Sequence, residues 1–279
     1  MKLTALLDRV AARAVDDSAL LTEAGIRDVI AALPADAPED WRQLAAVLAV
    51  LECHSSAKES TAHLLGISGG QGAGKSTLAS LVVAACSALG TRAVSLSLDD
   101  FYLTRAERES LAADVHPLLR TRGVPGTHDV ALAIRVLDAL STGQSIELPV
   151  FDKSVDDRQS QGLLVTGPLD LVVFEGWCVG ATPEPAARLA APANSLERKQ
   201  DADGTWRRSV NEALAHAYSD LWSRLDTLLY LKVPDLDAVI RWRTEQEQAH
   251  PPERRRTAAV IRRFVAHYER LTLWMLESM

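Results

Sequence analysis

Residues 63–77 read HLLGISGGQGAGKST, which is a short apolar run, then a glycine-rich turn ending in Gly-Lys-Ser, then the start of a helical pattern. Glycines allow successive backbone N–H groups to point into one concavity, and the following helix directs the positive end of its dipole there. This order of strand, loop and helix predicts a phosphate-binding loop. We expect Lys75 to reach the terminal phosphates of a nucleotide and Ser76 to ligate Mg²⁺. The loop residues are Gly69, Gly70, Gln71, Gly72, Ala73, Gly74, Lys75, Ser76 and Thr77.

The composition is that of an ordinary globular chain. Of the 279 residues, 47% are hydrophobic, which is enough for a sizeable core, and the formal charge of −7 disfavours a nucleic-acid partner. Cys53, Cys86 and Cys178 have no spacing typical of zinc ligands or a disulfide framework, so they fit a reducing cytoplasm. With no signal-peptide pattern and no apolar run near the ~20 residues that span a bilayer, we expect neither secretion nor membrane insertion.

Apolar spacing divides the chain into two regions. Residues 1–60 show leucines and alanines at helical spacing, among them Leu3, Leu6, Leu7 and Val10, with a break at residues 34–38, which predicts an N-terminal helical extension. Residues 61–279 alternate short β-rich runs with helical runs, which is typical of an α/β fold with a mostly parallel sheet and helices on both faces. The predicted strands are 64–68, 93–98, 169–174 and 227–233. The predicted helices are 77–89, 128–140, 235–248 and 257–276, and residues 189–208 are expected to be irregular.

Two of the predicted strands end in acidic residues. Asp99 and Asp100 follow the second strand, and ligands of open α/β sheets gather at the carboxyl ends of strands. A carboxylate there can accept the proton of an alcohol that attacks a phosphoryl group, which makes Asp99 the candidate base, although such a pair can also cap a turn. Glu175 ends the next strand and is expected to hold Mg²⁺ opposite Ser76. The chain lacks the Asn-Lys-x-Asp motif that reads guanine, which disfavours a GTPase.

Five runs together resemble the phosphate-loop small-molecule kinases, a family that includes uridine kinase, phosphoribulokinase, bacterial pantothenate kinase and D-glycerate 3-kinase. The runs are GGQGAGKST (69–77), LDDFYLT (98–104), RGVPGTHD (122–129), FDKS (151–154) and FEGW (174–177). The third and fourth look most like the glycerate kinase branch. The resemblance implies a P-loop NTPase fold, ATP and Mg²⁺ as cofactors, Asp99 as the base, Lys75 as the residue that neutralises phosphate charge, and Ser76 with Glu175 at the metal.

A small hydroxy acid would need a cation or a bidentate fork for its carboxylate, and donors and acceptors for its hydroxyls. For each basic residue taken alone, a solvated surface position is the alternative. Trp177 could wall the pocket or pack in the core. The candidate substrate-binding residues are Tyr102, Arg122, His128, Lys153, Arg158 and Trp177.

The last third of the chain contains a predicted helical lid at about residues 241–258, where arginine-rich segments flank a Pro-Pro break. Transfer to an alcohol has to exclude water, so a segment should close over the phosphates. Arg241 and Arg243 are expected to meet the phosphate charge. Phe264, Tyr268, Leu271 and Trp274 recur at helical spacing and are expected to pack as a stripe.

The sequence therefore predicts an ATP-dependent kinase that phosphorylates a hydroxyl of a small hydroxy acid, with D-glycerate to 3-phosphoglycerate as the first candidate reaction. Two alternatives stay open. One is a kinase of another small alcohol, such as pantothenate or a nucleoside-like acceptor. The other is a nucleotide-dependent switch or chaperone-like NTPase. The oligomeric state, the adenine contacts and the role of the N-terminal helices are not predicted.

Overall fold

The computed structural model describes residues 23–56, 61–248, 255 and 257–279. Helices α1 (Glu23–Ala32) and α2 (Glu39–Ser56) come first, and the segment between them falls at the predicted proline break. The predicted helical positions Leu3 to Val10 lie outside the described residues. Over the described ranges, no helix is long and apolar enough to cross a membrane.

The centre of the fold is a four-stranded parallel sheet. Its strand order is β2 (Ala93–Ser97), β7 (Leu171–Gly176), β1 (His63–Gly69) and β8 (Thr227–Leu231). Two antiparallel pairs, β3 (Ile146–Leu148) with β6 (Leu163–Val165) and β4 (Phe151–Asp152) with β5 (Asp157–Arg158), lie outside it. All four predicted strands are in this sheet, but the third begins and ends two residues later than predicted, which places Glu175 inside it.

Helices cover both faces of the sheet. Side chains of a strand alternate between faces, so Leu64 and Phe174 join the core beneath α5 (Val130–Ser141), while Leu65 and Val173 join a second core with α1, α2 and α3 (Lys75–Ala88). The predicted α/β architecture is therefore confirmed. The remaining helices are α3 (Lys75–Ala88), α4 (Arg105–Asp114), α5 (Val130–Ser141), α6 (Ser195–Gln200), α7 (Thr205–Ala213), α8 (Ser219–Trp222), α9 (Leu236–Gln248), α10 (Ala258–Ala266) and α11 (Glu269–Ser278).

Two helix predictions are wrong. Residues 189–208 are not irregular, because they contain α6 and the start of α7; helices this short show too few apolar repeats for a visible period. Asn194 caps α6 by accepting a hydrogen bond from the N–H of Glu197. Residues 257–276 do not form one helix, because the chain breaks between α10 and α11 at His267 and Tyr268, which are both buried.

Helix α2 packs directly on α3, the helix that follows the phosphate loop. The sulfur atoms of Cys53 and Cys86 are 3.3 Å apart, and both cysteines are free thiols, a proximity that their separation in sequence does not indicate. At the loop itself, a Cβ added to Gly74 would come within 2.9 Å of the Trp41 ring. We therefore propose that α2, which lies within the predicted extension of residues 1–60, braces the domain of residues 61–279 through these contacts.

Candidate active site

The glycine-rich loop connects β1 to α3 at the carboxyl end of the sheet. Gly72 and Gly74 have φ of 81° and 84°, a left-handed backbone that other residues rarely adopt. The ammonium of Lys75 donates a hydrogen bond to the carbonyl of Gly70 over 3.1 Å. Burial lowers the pKa of Lys75, and the charges of Glu175 and Asp99 partly offset that effect. The loop thus directs one partly desolvated cation and the N-terminus of a 14-residue helix to the same point.

A cavity of about 550 Å³ opens beside this loop. Of the nine predicted loop residues, Gln71, Gly72, Lys75 and Ser76 line this cavity, and the other five are not among its lining residues. The neighbouring ends of β2 and β7 contribute as well, since Ser97 pairs in register with Glu175. The cavity is lined by Gln71, Gly72, Lys75, Ser76, Ser97, Asp99, Tyr102, Arg122, Lys153, Ser154, Glu175, Gly176, Trp177, Arg243, Phe264 and Tyr268.

Ser76 and Glu175, the predicted metal ligands, meet at this edge. The Ser76 hydroxyl in the first turn of α3 donates to Oε1 of Glu175 over 2.7 Å. A hydroxyl and a carboxylate are the hard oxygen ligands that Mg²⁺ prefers, and the ion usually takes only one or two carboxylates besides substrate phosphates. The donor set therefore fits the predicted ion.

Asp99 and Asp100 have different surroundings, although they are adjacent in a short helical turn after β2. Asp100 accepts a hydrogen bond from the backbone N–H of Phe151 over 3.2 Å and does not line the cavity. Asp99 does line it, with Oδ1 accepting from the Tyr102 hydroxyl over 2.7 Å and Oδ2 accepting from the Lys153 ammonium over 2.6 Å. The turn therefore leaves Asp99 as the carboxylate that a reacting group can approach.

The charge state of Asp99 depends on these two donors. Burial acts to raise the pKa of Asp99, but Lys153 and the Tyr102 hydroxyl outweigh burial, and the pKa lies below its usual value. Asp99 is accordingly an anion at neutral pH and can accept a proton. The same neighbourhood raises the pKa of Tyr102 well above its usual value, through burial and then through the charge of Asp99, so Tyr102 remains a hydrogen-bond donor.

Four of the six predicted substrate-binding residues line the cavity, namely Tyr102, Arg122, Lys153 and Trp177. Trp177 is buried and donates through its indole nitrogen to the carbonyl of Gly123 over 2.7 Å, so it both walls the pocket and packs in the core. Two cations, Arg122 and Lys153, and two aromatic rings, Tyr102 and Trp177, thus line the same cavity as the predicted base.

His128 and Arg158 lie behind the wall. His128 stacks on Tyr102 with ring centroids 4.6 Å apart, and its Nδ1 is 2.6 Å from the Tyr218 hydroxyl. Arg158 donates to the carbonyl of Tyr102 over 2.9 Å and approaches the carboxylate of Asp129 at 3.5 Å. Both residues therefore contact Tyr102 and are not among the cavity-lining residues, so direct substrate contact by either stays a prediction.

The two predicted lid arginines are in different positions on α9. Arg243 lines the cavity, with its guanidinium 5.4 Å from the centroid of the Phe264 ring. Arg241 is exposed and outside the lining. Residues 249–254 and 256, in the middle of the predicted lid, lie outside the described residues, so closure of this segment stays a prediction.

Sequence reasoning missed several residues of the site. Phe264 and Tyr268 were expected only to pack, yet both line the cavity, and the Tyr268 hydroxyl donates to the carbonyl of Arg122 over 3.1 Å. Asp156 pairs with Arg122, and Arg108 pairs with Asp156, but neither was among the predicted site residues. The sequence contains one local signal near them, the Thr104-x-x-Glu107 capping box. This motif marks the start of α4, the helix that carries Arg108.

The buried imidazole of His128 predicts a defined pH dependence of stability. Burial lowers its pKa from 6.5 to about 4, against a smaller opposing effect of the Asp99 charge. Between these pH values the unfolded chain binds more protons than the folded one, so the free energy of unfolding rises with pH over this window and levels off above it. His128 contributes about 3 kcal/mol to the free energy of unfolding, and this contribution is lost as the pH falls towards 4.

A His128→Phe variant tests this expectation by chemical denaturation at several pH values. Phe retains an aromatic ring against Tyr102 but cannot titrate. The difference in free energy of unfolding between wild type and variant should therefore shrink as the pH is lowered from 6.5 to 4. Tyr218→Phe is the control, because it removes the same hydrogen bond and keeps the imidazole. Parallel stability curves for wild type and His128→Phe would contradict the expectation.

Comparison with known proteins places this arrangement among kinases. No family model matches the sequence. An uncharacterized kinase of Schizosaccharomyces pombe is 38% identical over 199 residues, which cover 67% of this chain and 70% of that protein. The chloroplastic D-glycerate 3-kinase of Arabidopsis thaliana is 34% identical over 200 residues, which cover 67% of this chain but 41% of that enzyme. A solved structure of D-glycerate 3-kinase from Cryptococcus neoformans has a TM-score of 0.71 at 27% identity, covering 84% of this chain and 88% of that one.

Proposed function

Because the chain belongs to the phosphate-loop small-molecule kinases and is similar to their D-glycerate 3-kinase members, we propose that it transfers the γ-phosphoryl group of ATP to a hydroxyl of D-glycerate, giving 3-phosphoglycerate. One observation carries this proposal. A cavity-lining carboxylate, Asp99, shares its cavity with the phosphate loop and with the Ser76–Glu175 pair. A base and a phosphate site that face the same space can act on one reacting hydroxyl.

The nucleotide side of the reaction would use the loop backbone, Lys75 and the two oxygen ligands. Mg²⁺, held by Ser76 and Glu175, would offset negative charge on the phosphate oxygens. Lys75 adds a positive charge in a desolvated position, where electrostatic stabilisation is stronger than in water. Arg243 of α9 lines the same cavity and is proposed to neutralise charge on the transferred group.

On the acceptor side, Asp99 would accept the proton of the attacking hydroxyl. Phosphoryl transfer has a loose transition state, so positioning and electrostatics account for most of the catalysis. Arg122 and Lys153 supply two cations within reach of the same cavity, which suits an acceptor that carries a carboxylate. The rings of Trp177, Phe264 and Tyr268 are proposed to limit water, since water would otherwise compete as the acceptor.

ATP and Mg²⁺ are thus the proposed cofactors, and a small hydroxy acid is the proposed partner. A cytoplasmic location stays a prediction from cysteine usage, since the Arabidopsis relative is named as chloroplastic. Nucleic acid and membranes are not proposed as partners.

The proposed function is tested by an acceptor screen. The protein with ATP and Mg²⁺ is supplied separately with D-glycerate, pantothenate and uridine, and ADP release is followed, with product identification by mass spectrometry and NMR. We expect D-glycerate alone to raise ADP release strongly over the acceptor-free rate and to yield 3-phosphoglycerate. Stimulation by pantothenate or uridine with none by D-glycerate would refute the proposed acceptor.

A further inference from the structure

Asp156 joins two arginines next to the cavity. It lies in the turn between β4 and β5 and is the non-glycine residue with a positive φ, 58°, within the described ranges. One carboxylate oxygen bonds to Nη1 of Arg122, and the other lies 3.1 Å from Nη2 of Arg108. A single anion therefore connects a cavity-lining guanidinium to one that lies deeper in the fold.

Arg108 is a fixed anchor for this carboxylate. Only 1% of its surface is exposed, which is unusual for arginine. Its guanidinium donates to three backbone carbonyls, those of Leu103 over 3.1 Å, Arg120 over 2.9 Å and Asp156 over 2.7 Å. These bonds come from three separate segments of the chain, so Arg108 has little freedom to move.

Arg122 differs from Arg108 in that it borders open space. Its side chain is 26% exposed, and its guanidinium lies 5.3 Å from the Phe151 centroid and 6.0 Å from the Tyr102 centroid. An arginine side chain is long and flexible, and without a partner it samples many rotamers. The bond to Asp156 and the two rings hold it in one orientation, with the remainder of the fork available to the cavity.

We propose that Asp156, anchored on Arg108, is the positioning residue that orients the Arg122 fork towards the carboxylate of the acceptor, and that it thereby sets the preference for a hydroxy acid over a neutral polyol. This inference rests on the proposed function. Bidentate recognition of a carboxylate by arginine depends on the geometry of the fork as well as on charge.

Two opposing effects follow from removing the Asp156 charge. The arginine pair would gain net positive charge, which attracts an acidic acceptor, but solvent screens this attraction because Arg122 borders the open cavity. At the same time Arg122 would be repelled by Arg108 and would lose its hydrogen-bond partner. We expect the loss of orientation to dominate, because ordering a free arginine again costs part of the binding energy.

Asp156→Asn tests the inference with little change of shape, since Asn has the same size and tolerates a positive φ well. We expect the KM for D-glycerate to rise ~10-fold, equivalent to about 1.4 kcal/mol, with kcat and the KM for ATP within twofold of wild type. Glycerol, which has the hydroxyls but no carboxylate, is the neutral comparison acceptor, and the ratio of kcat/KM for D-glycerate to kcat/KM for glycerol should fall ~10-fold. Asp157→Asn is the matched control, because the same charge is removed one residue away at a side chain that does not contact Arg122.

A double-mutant cycle separates positioning from a general structural effect. Arg122→Lys keeps the charge but removes the fork, so adding Asp156→Asn to that variant should raise the KM for D-glycerate less than twofold further. An equal rise in both backgrounds, or an unchanged KM in Asp156→Asn alone, would overturn this inference. A wild-type protein that phosphorylates a neutral alcohol and not D-glycerate would overturn the proposed function instead.

Discussion

Asp99→Asn is expected to lower kcat with D-glycerate by ~10² or more while leaving nucleotide affinity intact, which is the scale of a lost general base. Asn keeps the shape of the side chain and can still accept the hydrogen bond from Tyr102. Its amide oxygen is too weak a base to take the proton of the attacking hydroxyl. Lys153 also loses its anionic partner, so the substitution affects turnover and the acceptor side of the cavity.

Steady-state ADP release gives kcat for this variant, and titration calorimetry with a non-hydrolysable ATP analogue gives nucleotide affinity. Asp100→Asn is the control, since its side chain bonds to the Phe151 N–H outside the cavity lining and the same chemical change should leave kcat within a few-fold of wild type. Full turnover in Asp99→Asn would remove this residue from the role of base.

Lys75→Met should reduce kcat by ~10²–10³, comparable to the loss of a preorganised donor that faces developing charge. Methionine has about the same length and is apolar, so the loop can keep its shape while the positive charge is lost. The effect should be large because Lys75 is desolvated, and a charge in such a position interacts more strongly with phosphate oxygens than it would in water.

The measurement for Lys75→Met is kcat at saturating ATP together with kcat/KM for ATP. Lys232→Met applies the same substitution at an exposed lysine outside the cavity and should have no measurable effect. Thermal unfolding of both variants checks that the fold is retained. Turnover of Lys75→Met within tenfold of wild type would show that its ammonium does not stabilise the transferred phosphoryl group.

Part of the candidate site could be predicted because its chemistry depends on neighbours in sequence. The loop of residues 69–77 needs glycines at fixed spacing and a helix that begins at its end, and both are local features. Glu175 could be predicted because parallel strands end at one edge, which brings the end of β7 beside the loop. For Asp99 and Asp100 the sequence left two interpretations, because the direction of each side chain depends on a turn whose packing on Phe151 is a long-range contact.

The site residues that the sequence did not predict are those whose contacts in the fold come from distant parts of the chain. Tyr268 meets the carbonyl of Arg122 across 146 positions, and its stripe-like spacing indicated only a packed helix. His128 and Arg158 contact Tyr102 and are not among the cavity-lining residues, a placement that motif spacing does not specify, and their direct contact with substrate stays a prediction.

Local sequence was thus sufficient for the α/β class, the phosphate loop and the acidic strand ends, because backbone sterics and apolar periodicity act over a few residues. The tertiary structure alone determines the orientation of Asp99, its pairing with Lys153, and the Arg108–Asp156–Arg122 cluster. These contacts join segments that are tens of residues apart in the chain. Their geometry depends on how α4, the β4–β5 turn and the loop before α5 pack together. The residues of the phosphate side could therefore be predicted from local sequence, and the geometry of the acceptor side could not.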